Sequence, residues 1–464
     1  MSAKKPPFDP DKLFQRALSM HHDGKLKEAE DLYKTLLAYF PNQVEVITPF
    51  ATLLLQQGKH VEGVAQLKKS LSLNPCQPGA LYNLGVQLQK QVKLEEALSC
   101  YEQALQLNPQ DINCLINRGN TLKDSRRHQE AIASFNRALA INPNIASAQW
   151  NKALTQILLG NYEEGWKLYE SGWQAGERGK PRSFNQPTWL GDESIKGKTL
   201  LIYAEQGFGD FIQFCRYAPM AEALGAKVIL EVSAPLLALA RSLKGNFTLV
   251  KEGEALPAFD LVCPVMSLPL AFKTTLATVP ANTAYLFADA ANKKVWQEKL
   301  GEKTKPRIGV VWSGSLTNKI DLNPCSKRNV PLAQLQALFE LPFEFHVLQK
   351  EFRDEDKATL ANISNLHLHQ DELTDFASTA ALIDEMDLVI STCTAVAHLS
   401  GSLGKETLVM LPYTADYRWL LERSDSPWYK SVTLFRQNQI GDWSEVIADI
   451  KETVSLAYQD HISN

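Results

Sequence analysis

Residues 204–210 read AEQGFGD and residues 390–398 read ISTCTAVAH, and each joins an apolar, β-branched run to a stretch with helical spacing. Gly207 and Gly209 carry no Cβ, so the first turn admits a close approach of the backbone to another group. The helix that follows begins with free N–H groups and a positive dipole end, which suits a phosphate or a carboxylate. The third glycine of the nicotinamide-dinucleotide fingerprint would fall at Ile212, so that kind of site is not supported. Asp210 has the chemistry of a helix N-cap. In the second stretch, Ser391, Thr392, Cys393 and Thr394 bring hydroxyls and a thiol to the strand-to-helix junction. Hydroxyls can cap free N–H groups, and the remaining donors would meet a diphosphate lying on the helix end. His398, one turn inside, leans towards the same end. A capped helix with an ordinary core histidine is the other reading. Asp354, Glu355 and Asp356 have the letters of a metal-binding DxD, but the run KEFRDEDKA around them reads as an exposed helix, so no metal site is expected.

The whole chain narrows the classes of partner. Its 464 residues suit two to four domains, and 45% apolar composition is ample for buried cores. A net charge of −4 leaves no basic face to expect, so nucleic acid is not an expected partner. Seven cysteines, an odd number without paired spacing, argue for reduced thiols in a cytoplasmic protein. No apolar run approaches the length of a membrane span, and a soluble, unexported protein is expected.

The elements that must position these turns follow from two rhythms. In the first third, Pro41, Pro75, Pro109 and Pro143 lie 34 residues apart. Ala17, Ala51, Gly85, Gly119 and Ala153 share that offset, as do Tyr33, Leu67, Tyr101, Phe135 and Tyr169. Small residues where paired helices touch, with an aromatic filling the gap, resemble the tetratricopeptide pattern. Five units fit, starting near 10, 44, 78, 112 and 146. This predicts an α-superhelix over residues 1–175 and a linker over 176–198, where Gly, Pro and Ser rise. Such superhelices usually carry a groove for extended peptides or proteins. Asn83, Asn117 and Asn151, again 34 apart, are candidates to hydrogen-bond a peptide backbone there, or to cap or bridge helices. Trp166, Trp173 and Trp189 read as packing at the junction.

From residue 199 the period changes. Short β-branched runs alternate with amphipathic stretches, which predicts parallel, doubly wound sheets in two halves, 199–290 and 305–464. Ligands bind off the carboxyl ends of such strands, so both turns should face one cleft.

LLIYAEQGFGDFIQFCRYAP, GVVWSG with a following lysine and arginine, DLVISTCTAVAHLSGSLGK and LPYTADYRWLLERSDSPWY together resemble the heptosyltransferase-like glycosyltransferases of bacteria, over about 270 residues. The resemblance implies the GT-B fold: an acceptor-side Rossmann-like half (199–290) and a nucleotide-sugar-binding half (305–464), behind the tetratricopeptide array. It implies an inverting, metal-independent transferase without a resident cofactor, using a nucleotide-diphosphate sugar as co-substrate. In that family's pattern the residue at Asp210 is the general base, and the loop matching Thr392 through His398 holds the donor diphosphate. Lys319 and Arg328 would neutralise the leaving diphosphate, and Arg418 could reach donor or acceptor, or stack on Trp419. The acceptor is expected to be a protein or a glycan recruited by the repeats, and an oligomer is possible. One departure stands out. Relatives tend to carry an aspartate where this chain has Cys393, a thiol that a helix N-terminus can partly ionise but that accepts hydrogen bonds poorly. A non-catalytic tetratricopeptide scaffold with a degenerate transferase region is the alternative.

Overall fold

Proline disfavours a helix interior, and residues 41, 75, 109 and 143 each follow a helix by two positions. The result is a run of helix pairs in the computed structural model, which describes residues 6–281, 284–315 and 323–462. These are α1 (Pro10–His22) and α2 (Leu26–Tyr39), α3 (Val44–Gln56) and α4 (His60–Leu73), α5 (Pro78–Lys90) and α6 (Leu94–Leu107), α7 (Ile112–Asp124) and α8 (His128–Ile141), and α9 (Ala146–Leu158) and α10 (Tyr162–Tyr169). The repeated small residue has a direct cause. A Cβ on Gly85 would sit 2.7 Å from the Tyr101 ring, and one on Gly119 would sit 2.4 Å from that of Phe135. Both rings are fully buried, so neither helix of these pairs tolerates a larger residue at the contact.

The chain divides into two compact units, Met1–Asn151 and Lys152–Asn464. The division falls inside the array expected over 1–175, and α10 lies in the second unit. Tyr162, Trp166 and Tyr169 on α10 are buried, with Trp166 edge-on to Phe214 at 6.1 Å and to Tyr417 at 6.2 Å. Nor is 176–198 a loose linker. Trp189 is buried and its N–H donates to the Val262 carbonyl at 2.8 Å, while the Val262 N–H donates to the Pro187 carbonyl at 3.1 Å. The junction tryptophans do pack, as read from the sequence.

In the second unit ten strands form two parallel sheets among the described residues. The first, in order β3-β2-β1-β4, comprises β1 (Thr199–Tyr203), β2 (Lys227–Val232), β3 (Thr248–Lys251) and β4 (Leu261–Pro264). The second, in order β10-β9-β8-β5-β6-β7, comprises β5 (Arg307–Val311), β6 (Glu344–Val347), β7 (Leu366–His367), β8 (Leu388–Thr392), β9 (Thr407–Leu411) and β10 (Val432–Arg436). Every pairing of named strands is parallel, with Tyr203 opposite Glu231 and Val311 opposite Ser391. Strands β5, β8 and β9 are buried throughout, as expected where both faces are covered. The strand order reverses at β1/β4 and at β5/β8, where a doubly wound sheet opens a crevice at its carboxyl edge. No helix among the described residues is long and apolar enough to cross a membrane.

A histidine pair lies inside the second sheet. His346 Nδ1 is 3.0 Å from His369 Nε2, and the remaining ring nitrogens of both are buried without hydrogen-bond partners. Burial and the neighbouring histidines hold His346 at about 3, while burial and Lys299 hold His369 at about 4. Both are therefore neutral in the folded protein over a range in which the unfolded chain binds protons. This contribution to stability is complete above the unfolded value near 6.5 and falls as pH drops towards 4. Denaturant titrations from pH 7 to 5 should show a slope of up to about 1.4 kcal/mol per pH unit for each histidine, a slope that His346→Gln with His369→Gln flattens. In the first unit, Gly119→Ala should cost about 1–3 kcal/mol by overpacking. Calorimetric unfolding of that variant should show much of the loss returned by adding Phe135→Leu.

Candidate active site

The β1 strand ends at Tyr203, and the chain turns through Gln206 with φ 59° before entering α11 (Phe208–Phe214). A non-glycine residue in the left-handed region is uncommon and marks a loop held by its surroundings. The hold comes from Arg178. Its side chain has no exposed surface, and its guanidinium donates to Glu170 Oε1 at 2.8 Å, to Ser267 Oγ at 3.0 Å and to both carboxylate oxygens of Glu205. The Met266 N–H also donates to Glu205, at 3.1 Å. Trp173 lies under the guanidinium, 4.3 Å from ring centroid to Cζ.

Gly207 is the N-cap of α11, and Asp210 is its third residue rather than its cap. The Asp210 Oδ2 accepts the Gly207 N–H at 2.7 Å, closing the turn on itself. Its Oδ1 accepts from Arg418 Nη2. Arg418 is in turn held by Asp416, whose carboxylate oxygens accept from Nη1 at 2.9 and 3.0 Å. The side chains of Arg418, Asp210 and Asp416 keep 10%, 17% and 32% of their surface exposed, so the cluster is reachable from solvent. Burial lifts the Asp210 carboxyl above the usual carboxylate range against the opposing pull of Arg418 and the Gly207 N–H. The cation stacks on Tyr417, 4.3 Å away, and not on Trp419.

From the other half, β8 leads through Cys393 and Thr394 into the helix Ala395–Ser402. That helix meets α11 where Gly209 permits it, since a Cβ there would stand 3.1 Å from His398 Cδ2 and 3.4 Å from Ala395 Cα. Thr394 occupies the N-cap position, but its hydroxyl turns to Ser391 Oγ at 3.3 Å and makes no side-chain cap. The Thr392 hydroxyl is buried without a partner. His398 is buried, stacked on Trp419 at 5.2 Å, with Nδ1 3.0 Å from the Tyr429 hydroxyl. Burial, with Arg418, Arg216 and Arg328 nearby, holds it well below its ordinary value, so the ring is neutral. Arg328 Nη1 donates to the Cys393 carbonyl at 2.9 Å.

Cys393 departs from expectation. Its sulfur accepts the Trp419 indole N–H at 2.9 Å, and burial pushes the thiol up to about 11 rather than down. It is a neutral, enclosed group at neutral pH. Asp356, expected on an exposed helix, is buried and accepts the Trp312 indole N–H at 2.9 Å. Among the described residues no cluster of three potential metal ligands occurs.

The structure thus gathers Gly207, Gly209, Asp210, Arg328, Thr392, Cys393, Thr394, His398 and Arg418 at the carboxyl edges of two sheets. Lys319 lies outside the described residues. In the first unit, Asn83 Nδ2 donates to Thr52 Oγ1 at 3.3 Å and Asn117 Nδ2 to the Tyr82 hydroxyl at 2.8 Å, each bridging to the preceding repeat. Asn151 Nδ2 instead donates to the Ser147 carbonyl at 2.9 Å within its own helix. Sequence reasoning missed Arg178, Glu205, Arg216, Asp416 and Tyr429. Of these, Asp416 and Tyr429 sit in the aromatic and charged run LPYTADYRWLLERSDSPWY, which was signal enough.

The helix pairs of residues 78–111 and 112–145 match the tetratricopeptide repeat family. Among curated proteins, this chain is 27% identical over 336 residues to Protein FlbA of Caulobacter vibrioides, an alignment covering 66% of this chain and 54% of FlbA. The chain spans about half the length of that relative. Two solved structures are similar to about a third of the chain. MamA protein aligns at a TM-score of 0.34 and 20% identity, covering 36% of this chain and 92% of its own. YrrB, described as a tetratricopeptide protein with an unusual peptide-binding site, aligns at 0.33 and 19%, covering 36% and 86%.

Alkylation tests the state of the thiols. Cys76 is exposed and the other six cysteines are buried. With iodoacetamide at pH 8, peptide mapping should find Cys76 labelled and Cys393 unlabelled until denaturant is added; rapid native labelling of Cys393 would show an ionised, accessible thiolate.

Proposed function

We propose that the Lys152–Asn464 unit is an inverting, metal-independent glycosyltransferase of the GT-B type, using a nucleotide-diphosphate sugar. The observation that carries this reading is the position of Asp210, a carboxylate fixed by the Gly207 N–H where two sheet edges bring Arg418, Arg328 and a neutral His398 together. Asp210 takes the proton of an acceptor hydroxyl as that oxygen bonds to the anomeric carbon. The bond from that carbon to the diphosphate oxygen breaks in the same step, and the leaving diphosphate carries away the electron pair. A positioned base typically contributes 10²–10⁴-fold. Arg328 and Arg418 offset the charge growing on the diphosphate, and the free N–H groups at the Ala395–Ser402 helix end add donors because Thr394 leaves them uncapped. Lys319 would serve the same charge. The first unit recruits a protein or peptide acceptor, with Asn83 and Asn117 in its wall; a glycan acceptor fits the same chemistry.

The second reading is a scaffold that keeps the fold without catalysis. It is favoured by Cys393, which offers the site neither a carboxylate nor a thiolate. Asp210→Asn separates the two. Asn retains the acceptor for the Gly207 N–H but cannot take a proton, so turnover with the cognate nucleotide sugar should fall by about 10²-fold or more while the melting temperature stays near that of the parent. A steady-state assay in which Asp210→Asn transfers sugar at the parental rate would remove Asp210 from the chemistry.

A further inference from the structure

Arg418 and Asp210 belong to different halves of the second unit, and their ion pair joins the two loops across the crevice. Each partner has a second anchor that does not involve the other. Arg418 is fixed by Asp416 through Nη1 at 2.9 and 3.0 Å, and its backbone N–H donates to the same carboxylate at 3.0 Å. Asp210 is fixed by the Gly207 N–H at 2.7 Å. The contact between them can therefore open without either side chain losing its place. It also lies where an anion can reach it, because Gly207 and Phe208 beside it are exposed, Phe208 to 44%.

We infer that the Asp210–Arg418 ion pair is a resting latch, and that the diphosphate of the nucleotide donor opens it by taking Asp210's place on Arg418 Nη2. The inference rests on the transferase reading and adds its regulation. With the donor absent, the carboxylate of Asp210 is the acceptor for Arg418 Nη2, and its oxygens are engaged by Arg418 and by Gly207. With the donor present, Asp210 loses the cation that lowers its basicity and gains a negatively charged neighbour, while Gly207 keeps it aimed. The base is then strongest only when the leaving group is loaded. Asp416 keeps its hold on Arg418 Nη1, so once Asp210 lets go it is Arg418 Nη2 that stands ready to donate to an incoming anion.

Competition for one guanidinium gives an unusual signature, namely that loss of the carboxylate should improve nucleotide binding. Calorimetric titration of the full-length protein with UDP, ADP and GDP identifies the nucleotide, which then serves as the probe for four proteins. Asp210→Asn should bind it about tenfold more tightly than the parent, a change of about 1.4 kcal/mol. Arg418→Gln should bind about tenfold more weakly or worse, and the double variant should match Arg418→Gln, because without the guanidinium there is nothing to compete for. Should Arg418→Gln lose its fold, Arg418→Lys keeps the charge and should retain part of the affinity gain from Asp210→Asn. Unchanged affinity in Asp210→Asn alongside weakened binding in Arg418→Gln overturns the latch and leaves the donor site standing. Failure of the parent and every variant to bind any of the three nucleotides overturns the latch and the transferase reading together.

Discussion

A guanidinium with no exposed surface costs several kcal/mol to bury unless its donors meet acceptors and its charge meets a carboxylate. Arg178 satisfies both terms only when Glu170, Glu205 and Ser267 are in place around it. That requirement ties three parts of the second unit together: the tail of α10, the end of β1 and the turn after β4. Glu205 is two residues from Gly207, so the ion pair that neutralises Arg178 also sets where the glycine turn begins. Everything downstream in the candidate site, from the Gly207 N–H to the Asp210 carboxylate, inherits its position from this buried charge.

The second constraint is steric. Two helices meet near their N-termini, where a side chain on Gly209 would crowd His398 and Ala395 at 3.1 and 3.4 Å. Convergent helix starts bring positive dipole ends together, an arrangement unfavourable by itself. Arg418 adds further positive charge there, and Asp210 and Asp416 pair with it. The neutrality of His398 follows first from its burial and then from the arginines near it. Electrostatics of this kind favour an anionic guest and need no flexible lid to do so.

The repeats were legible because one physical contact recurs every 34 residues, a small residue under an aromatic ring, and a recurrence of that length has few other causes. The strands were legible as β-branched runs between turn residues, and all ten runs became parallel strands. The end of the array was not. The α10 sequence satisfies the repeat pattern with Tyr169, yet this tyrosine and its neighbour Trp166 bury themselves in the α/β unit, and periodicity says nothing about which neighbour an aromatic chooses. Arg178 and Glu205 are 27 residues apart and in different elements, so their pairing left no local trace. Cys393 shows two rules in conflict. A helix N-terminus lowers a thiol's pKa and burial raises it, and the sequence shows the first but not the depth of the second. Thr394 shows how a residue type suited to capping can sit at a helix start and yet spend its oxygen on another partner, here Ser391.

The incorporation of α10 into the second unit changes how this chain can vary over time. Repeat arrays commonly lengthen or shorten by whole units, because each unit contacts only its neighbours. Upstream of Lys152 a gain or loss of 34 residues leaves the repeated contacts intact. At the downstream end that freedom stops, since Tyr162, Trp166 and Tyr169 are bound by packing to Phe214, Tyr417 and Trp428, which no duplicated helix could supply. The array is open to growth from one side only, and α10, held by the aromatics of the α/β unit, is the helix that lineage change must leave alone.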